Sequence, residues 1–324
     1  MKQLHLPIAI FLLLLTPFLT TCKRETPRPT YPTLTQPPFT HVVIISIDGG
    51  RPDVILRAST PNIRALMARG AYTFWARTIP MAITLPSHTS MLTGVPVEVH
   101  GITWNKDLPE GTKAYPAVPT IFELAKKAGF TTAMATGKSK FAILARPGTV
   151  DWLSLPLPEE GAIEDDLLVG QNAAEIIRNH RPNVTFVHFA SADITGHKFG
   201  WGTPAQVEAI ERIDQGIGEV LQSLQEADLM KSTLVIVTAD HGGAGFGHGP
   251  NDPRSRHIPW IAAGPGIHEG FDLTRISGLT VNTEDTFATA CYMLGIPLPG
   301  YVQGQPVLDI MANRDLLTSQ PSNP

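Results

Sequence analysis

Cysteine is nearly absent from this chain, with Cys22 and Cys291 the only two among 324 residues. Cys22 lies in an N-terminal leader and Cys291 in a helical apolar pattern, so no internal disulfide framework braces the mature fold. Aromatic residues make up only 7% and nowhere alternate with a run of basic ones, and the net charge is −4. That balance gives no argument for a nucleic-acid partner. No apolar run is long and unbroken enough for a membrane span, and no internal repeat is visible. Hydrophobic residues are abundant, at 43%, enough to fill the core of one large domain.

Residues 1–22 read as a leader rather than as fold. Lys2 supplies the positive end, an apolar stretch interrupted by Pro7 and Pro17 follows, and Leu19-Thr20-Thr21-Cys22 ends it. This looks like a bacterial lipoprotein signal with Cys22 as the acylated first residue, although Thr21 departs from the small residue usual at that place. The alternative is an ordinary secretory signal. Residues 23–40, rich in proline and threonine, have no apolar period and suit an extended tether. The expected arrangement is an exported chain in the cell envelope or periplasm, lipid-anchored at Cys22, with the folded domain covering 41–324.

Three stretches within that domain share one pattern. Residues 41–47, 184–189 and 232–238 are β-branched and apolar, as strands buried on both faces are. Asp48 closes the first. Asp193 and His197 follow the second, and Asp240 with His241 follows the third. The glycines after His241 allow a tight turn that returns His248 to the same place. Ligands collect at the carboxyl ends of parallel strands, so Asp48, Asp193, His197, Asp240, His241 and His248 are candidates for one site. Three carboxylates and three imidazoles suffice for two zinc or similar divalent ions. His257, ahead of another strand-like segment, competes with His248.

The scaffold reads as helices alternating with those strands. Residues 60–70 form a helix capped by Thr60 and stopped by Gly70, and residues 118–129, 163–180, 203–229 and 286–294 have helical periodicity. Acidic 159–166 is a loop and helix start, lacking the alternating oxygen ligands of a calcium loop. Thr84 stands at a helix start with Pro86 in the first turn. Its hydroxyl is either a cap or, given a metal to lower its pKa, a nucleophile.

Ile47-Asp48-Gly49-Gly50-Arg51, Thr84-Leu85-Pro86-Ser87-His88, Leu92-Thr93-Gly94, His100-Gly101-Ile102, Asp193 to His197, Asp240-His241-Gly242 and His248-Gly249 occur in one order. As an ordered set over roughly residues 41–310, they resemble the type I phosphodiesterase and nucleotide pyrophosphatase family of the alkaline phosphatase superfamily. The resemblance implies a three-layer α/β/α sandwich around a mainly parallel sheet. It also implies two Zn2+ ions, or other divalent metals, one held by Asp193, His197 and His248 and the other by Asp48, Asp240 and His241. Thr84 becomes the nucleophile toward a small phosphate ester, and Asn105 falls where the family places a donor to a phosphoryl oxygen.

Substrate choice is open at this level. Lys138 and Lys140, after the strand-like 130–135, resemble the Lys-x-Arg element with which some monoesterase branches grip the phosphoryl group. Extra cations there favour monoesters, whose terminal oxygens carry more charge; the bidentate fork of Arg is missing. Phosphodiesters or nucleotide pyrophosphates are therefore the leading class, with a phosphomonoesterase or phosphonate hydrolase as the alternative. A formylglycine sulfatase is disfavoured, because position 84 is Thr and His88 occupies the place of that motif's Arg. A non-catalytic binding lipoprotein on the same fold is the alternative of another class. Oligomeric state leaves no mark on the sequence.

Overall fold

The apolar runs of the sequence form the middle of an eight-stranded sheet. A computed structural model describes Tyr31 and residues 36–109, 112, 114–157, 162 and 165–312; the leader, Cys22, most of the tether and most of 158–164 lie outside the described residues. The fold belongs to the unit that begins at Thr33. Its strands are β1 (His41–Ile47), β2 (Gly70–Arg77), β3 (Thr132–Thr136), β4 (Trp152–Ser154), β5 (Val184–Phe189), β6 (Thr233–Ala239), β7 (His257–Ala263) and β8 (Phe271–Asp272). Their order is β4-β3-β5-β1-β6-β7-β2-β8. Strands β4, β3, β5, β1 and β6 run parallel, while β7 is antiparallel to both β6 and β2.

The α-helices are α1 (Pro52–Arg57), α2 (Pro61–Ala68), α3 (Thr84–Thr93), α4 (Val97–His100), α5 (Ile121–Lys127), α6 (Asp166–His180), α7 (Ser191–Phe199), α8 (Pro204–Glu226), α9 (Pro253–Arg256) and α10 (Thr283–Met293). Side chains alternate across a strand, and β1 divides accordingly. Val43, Ile45 and Ile47 pack with Ile63 of α2, Val169 of α6 and Ile213 of α8. Ser46, on the opposite face, meets His88 of α3. Helices therefore cover both faces, which makes the expected α/β/α sandwich, and each buried Val or Ile contributes about 1.5–3 kcal/mol by leaving water.

Local chemistry departs from the sequence expectation in two places. The side chain of Thr60 makes no cap. Asp214 of α8 takes that role across space, accepting from Asn62 N at 3.0 Å and Ile63 N at 2.8 Å. Gly70 is the first residue of β2 rather than a helix stop, and a Cβ there would lie 2.3 Å from the carbonyl oxygen of Ala262. Close approach to β7 is what requires glycine. Cys291 is buried, as a small hydrophobe would be. Among the described residues no helix is long and apolar enough to cross a membrane.

Of the acidic 159–166 stretch, Asp165 caps α6 by accepting from Leu167 N and Leu168 N. The Asp166 carboxyl is buried and accepts from Ala190 N at 2.9 Å and from Ser191 Oγ. It thereby fixes the turn from β5 into α7, the helix that carries Asp193. Burial pushes its pKa up to about 7, outweighing the hydrogen bonds from Ser191 and Ala190. The folded value lies above the ordinary 3.8, so its stabilising contribution is complete below that value and is lost as pH rises through the folded one. The melting temperature of the wild type should therefore fall relative to that of Asp166→Asn between about pH 4 and pH 7. Parallel melting profiles across that range would show that Asp166 does not titrate there.

Candidate metal centre and nucleophile

The four central parallel strands deliver their first loop residues to one place. Asp48 follows β1, Asp240 and His241 follow β6, Asp193 lies in the first turn of α7 after β5, and Lys138 follows β3. Gly49 makes this convergence possible. Its φ is +71°, and a Cβ there would lie 2.9 Å from the Cα of Asp193. Its N–H donates to Asp240 Oδ1 at 3.1 Å, and His241 N donates to the same oxygen at 2.9 Å.

Two ligand groups result, each with one ligand atom per residue within 4.8 Å of the others: Asp193 with His197 and His248, and Asp48 with Asp240 and His241. The turn through Gly242 and Gly243 brings the His248 ring onto that of His241, with centroids 3.7 Å apart. His257 joins neither group; its Nδ1 meets the Pro253 carbonyl oxygen and its ring packs on Trp75.

The donor set fits divalent metal ions on three counts. His197, His241 and His248 place Nδ1 at 2.7–2.9 Å from the carbonyl oxygens of Phe246, Gly242 and Ala82. That contact suits an Nδ1–H donor and turns Nε2 toward the carboxylates, the orientation of metal-binding histidines. Burial, and then the neighbouring His248, lower the pKa of His241 to about 4, so it is neutral at pH 7. Finally, Asp193 Oδ1 and Asp240 Oδ2 are buried without a hydrogen-bond donor. Such orphaned oxygens are costly unless a cation meets them.

Lys138 occupies an unexpected position. Its ammonium lies 2.7 Å from Asp48 Oδ2 and 2.6 Å from Asp193 Oδ2, joining one carboxylate from each group. Each aspartate is thereby divided: Oδ2 faces the lysine, whereas Oδ1 faces the imidazoles of the two ligand groups. Burial alone would raise the pKa of Asp48 and lower that of Lys138. Their attraction wins, holding the Asp48 carboxyl well below the usual range and the ammonium above its own. Asp240 has no such partner, and burial beside Asp48 and Asp193 pushes it well up. One lysine against three carboxylates leaves negative charge for metal cations to balance.

Thr84 is the first residue of α3, with Ile83 rather than Thr84 at the cap position and no side-chain cap bond. The hydroxyl is thus released from capping and sits at the positive end of the helix. Its Oγ1 lies 3.4 Å from Asp48 Oδ1 and 3.5 Å from His241 Nε2. Asn105 Oδ1 accepts from Leu85 N at 3.0 Å and from Lys140 Nζ at 2.9 Å. Both contacts use Oδ1 as acceptor and not the amide NH2. Lys140 therefore lies against Asn105 at the start of α3, and Lys138 lies between Asp48 and Asp193.

Two histidines of this region were not among the sequence candidates. His188 Nε2 contacts Asp48 Oδ2 at 3.0 Å, and His88 bridges Ser46 Oγ at 2.7 Å and the Thr84 carbonyl oxygen at 2.8 Å. His188 was legible in principle, as the one imidazole in an otherwise apolar or hydroxyl-bearing buried strand, paired in register with Ser46. Replacing Lys138 by Met should leave Asp48 and Asp193 without their counter-ion. In chelator the variant should lose about 3–5 kcal/mol, seen as a lower melting temperature, and zinc should recover more of the loss than it adds to the wild type. Equal melting of both proteins in chelator would rule out this role.

The sequence profile of the type I phosphodiesterase / nucleotide pyrophosphatase family matches residues 42–251. The chain is 25% identical over 243 residues to a bis(5'-adenosyl)-triphosphatase of Xenopus laevis, covering 70% of this chain and 50% of that protein. It is 24% identical over 222 residues to human ectonucleotide pyrophosphatase/phosphodiesterase family member 5, covering 64% of this chain and 46% of that one. The chain spans about half the length of these curated relatives. Among solved structures, an inactive threonine-to-alanine variant of murine ectonucleotide pyrophosphatase/phosphodiesterase 5 in complex with AMP superimposes with a TM-score of 0.70 at 17% identity. That match covers 84% of this chain and all of the other. A 2-O GAG sulfatase superimposes with a TM-score of 0.68 at 16% identity, over 88% of this chain and 76% of its own.

Proposed function

The chain belongs to the type I phosphodiesterase / nucleotide pyrophosphatase family, and from that premise we propose that it is an exported, two-zinc hydrolase of phosphodiesters or nucleotide pyrophosphates with Thr84 as nucleophile. The observation that carries the reading is the place of Thr84 Oγ1 beside Asp48 and His241, next to two three-residue ligand groups. Asp48, Asp240 and His241 would hold one zinc, and Asp193, His197 and His248 the other. When bound, these ions lower the pKa of the Thr84 hydroxyl and offset negative charge on the entering and leaving oxygens.

The chain's own groups supply position and charge. Thr84 Oγ forms a bond to phosphorus as the bond from phosphorus to the leaving oxygen breaks, giving a phosphothreonine ester that water then hydrolyses. In-line transfer of this kind depends on positioning and electrostatics more than on protein acids or bases. Asn105, held by Leu85 N and Lys140, offers its NH2 to a non-bridging oxygen. Lys140 adds positive charge at the same point. The murine relative supports the choice of nucleophile, being inactive as a threonine-to-alanine variant.

The position of Lys138 favours diesters over monoesters. A terminal phosphoryl group, with its higher charge, calls for a pair of cations. Lys138 is committed to Asp48 and Asp193, so only Lys140 remains for substrate. The zinc-loaded protein should therefore hydrolyse bis(4-nitrophenyl) phosphate in preference to 4-nitrophenyl phosphate. Thr84→Ala should lower kcat by roughly three orders of magnitude or more, and Asn105→Ala by about 10²-fold. Chelator should abolish turnover and zinc restore it. Faster cleavage of the monoester would transfer the reading to a phosphomonoesterase, and undiminished turnover by Thr84→Ala would remove the nucleophile. Attachment at Cys22 belongs to the same proposal: Cys22→Ala should move the protein from the membrane fraction to the soluble one.

A further inference from the structure

A groove with no part in the site just described lies on the antiparallel side of the sheet. It encloses about 380 Å3 and is lined by Trp75, Arg77, His257 and residues 276–281. A recess of about 260 Å3 shares Arg77 and His257 with it and adds Pro250, Asn251 and Arg256. The recess therefore reaches the loop that begins directly after His248. Hydrogen bonds tie the same wall to Ser87 of α3 and to the Asp240 backbone. Arg256 Nη2 donates to the Thr78 carbonyl oxygen at 3.0 Å, Thr78 Oγ1 lies 2.7 Å from Ser87 Oγ, and Ser87 Oγ donates to the Asp240 carbonyl oxygen at 2.8 Å.

The lining has a distinct chemistry. Trp75 is 63% exposed on its strand, and the His257 ring meets it at 79° with centroids 4.9 Å apart. A large indole held upright at an opening is a surface for a planar ring. Arg77 and Arg256 are close enough to repel: burial, and then Arg77, push the Arg256 guanidinium down, with Glu284 opposing. Arg256 spends its hydrogen bonds on a carbonyl oxygen, not a carboxylate. Two guanidiniums, neither ion-paired to a carboxylate among the described residues, beside an exposed tryptophan, match an anion attached to a flat ring.

We propose that this groove binds the leaving group of the substrate, and that the leaving group it selects is a nucleotide, with phosphate on Arg77 and Arg256 and the base on Trp75. The inference rests on the hydrolase reading above; the recess that continues the groove is lined by Pro250 and Asn251, just after His248 of the candidate metal centre. It adds a specificity determinant outside the metal centre.

The test compares two substrates of the zinc-loaded full chain. Bis(5'-adenosyl) triphosphate releases adenosine diphosphate, whereas thymidine 5'-(4-nitrophenyl) phosphate releases a nitrophenolate that carries no phosphate. Trp75→Ala and Arg77→Ala, both at exposed positions, should each raise KM for the first substrate about tenfold, the effect of losing one charge-assisted or stacking contact. The value of kcat should hold, and both constants for the nitrophenyl ester should stay within twofold or so of wild type. Adenosine diphosphate should likewise inhibit nitrophenyl hydrolysis less well in each variant. Unchanged KM for bis(5'-adenosyl) triphosphate, or equal losses on both substrates, would overturn the proposal. If neither ester is cleaved, the hydrolase reading fails by itself. Calorimetric titration with adenosine diphosphate then decides the groove: weaker binding to Arg77→Ala supports it, and identical binding overturns it.

Discussion

The electrostatic problem posed by three buried carboxylates governs this structure. Asp48, Asp193 and Asp240 stand at the ends of adjacent strands with essentially no solvent to stabilise their charge. Lys138, from the next strand along, meets two of them at once. The backbone N–H groups of Gly49 and His241 meet the third. What remains uncompensated is specific: Asp193 Oδ1 and Asp240 Oδ2 are buried without a hydrogen-bond donor and face the imidazoles of His197, His241 and His248. A cavity of that kind is a poor place for water-separated ions and a good one for divalent metal ions.

The same constraint separates the roles of two lysines that look equivalent in sequence. With only Ser139 between them, Lys138 and Lys140 diverge because the chain turns into a short 3-10 helix after β3. One ammonium bridges Asp48 and Asp193 and the other lies at Asn105 beside the start of α3.

Fold and chemistry are separable in this superfamily. The sulfatase and the murine pyrophosphatase/phosphodiesterase superimpose on this chain almost equally well, so the architecture alone does not choose between sulfuryl and phosphoryl transfer. At the start of α3, Thr84 carries a hydroxyl beside Asp48 and His241, and His88 turns inward onto Ser46 and the Thr84 carbonyl oxygen.

Much of this was determined by sequence alone. The runs at β1, β5 and β6 are so uniformly apolar that they must be buried on both faces, and a polar residue is affordable only where such a strand ends. Asp48, Asp193, Asp240 and their histidines were legible for that reason, as was the sandwich that alternating strands and helices imply. Contacts between segments distant in the chain were not. Asp214 caps a helix from across the domain, His188 turns from a strand interior onto Asp48, and the groove beside Trp75 joins β2, β7 and the 273–281 segment. The destination of Lys138 was likewise decided only by tertiary structure. A sequence states that a lysine follows a strand, but which charge it meets depends on strand order, and here β3 lies beside β5, and β5 beside β1. That adjacency brings the ammonium within reach of two carboxylates whose combined attraction exceeds the cost of burying it.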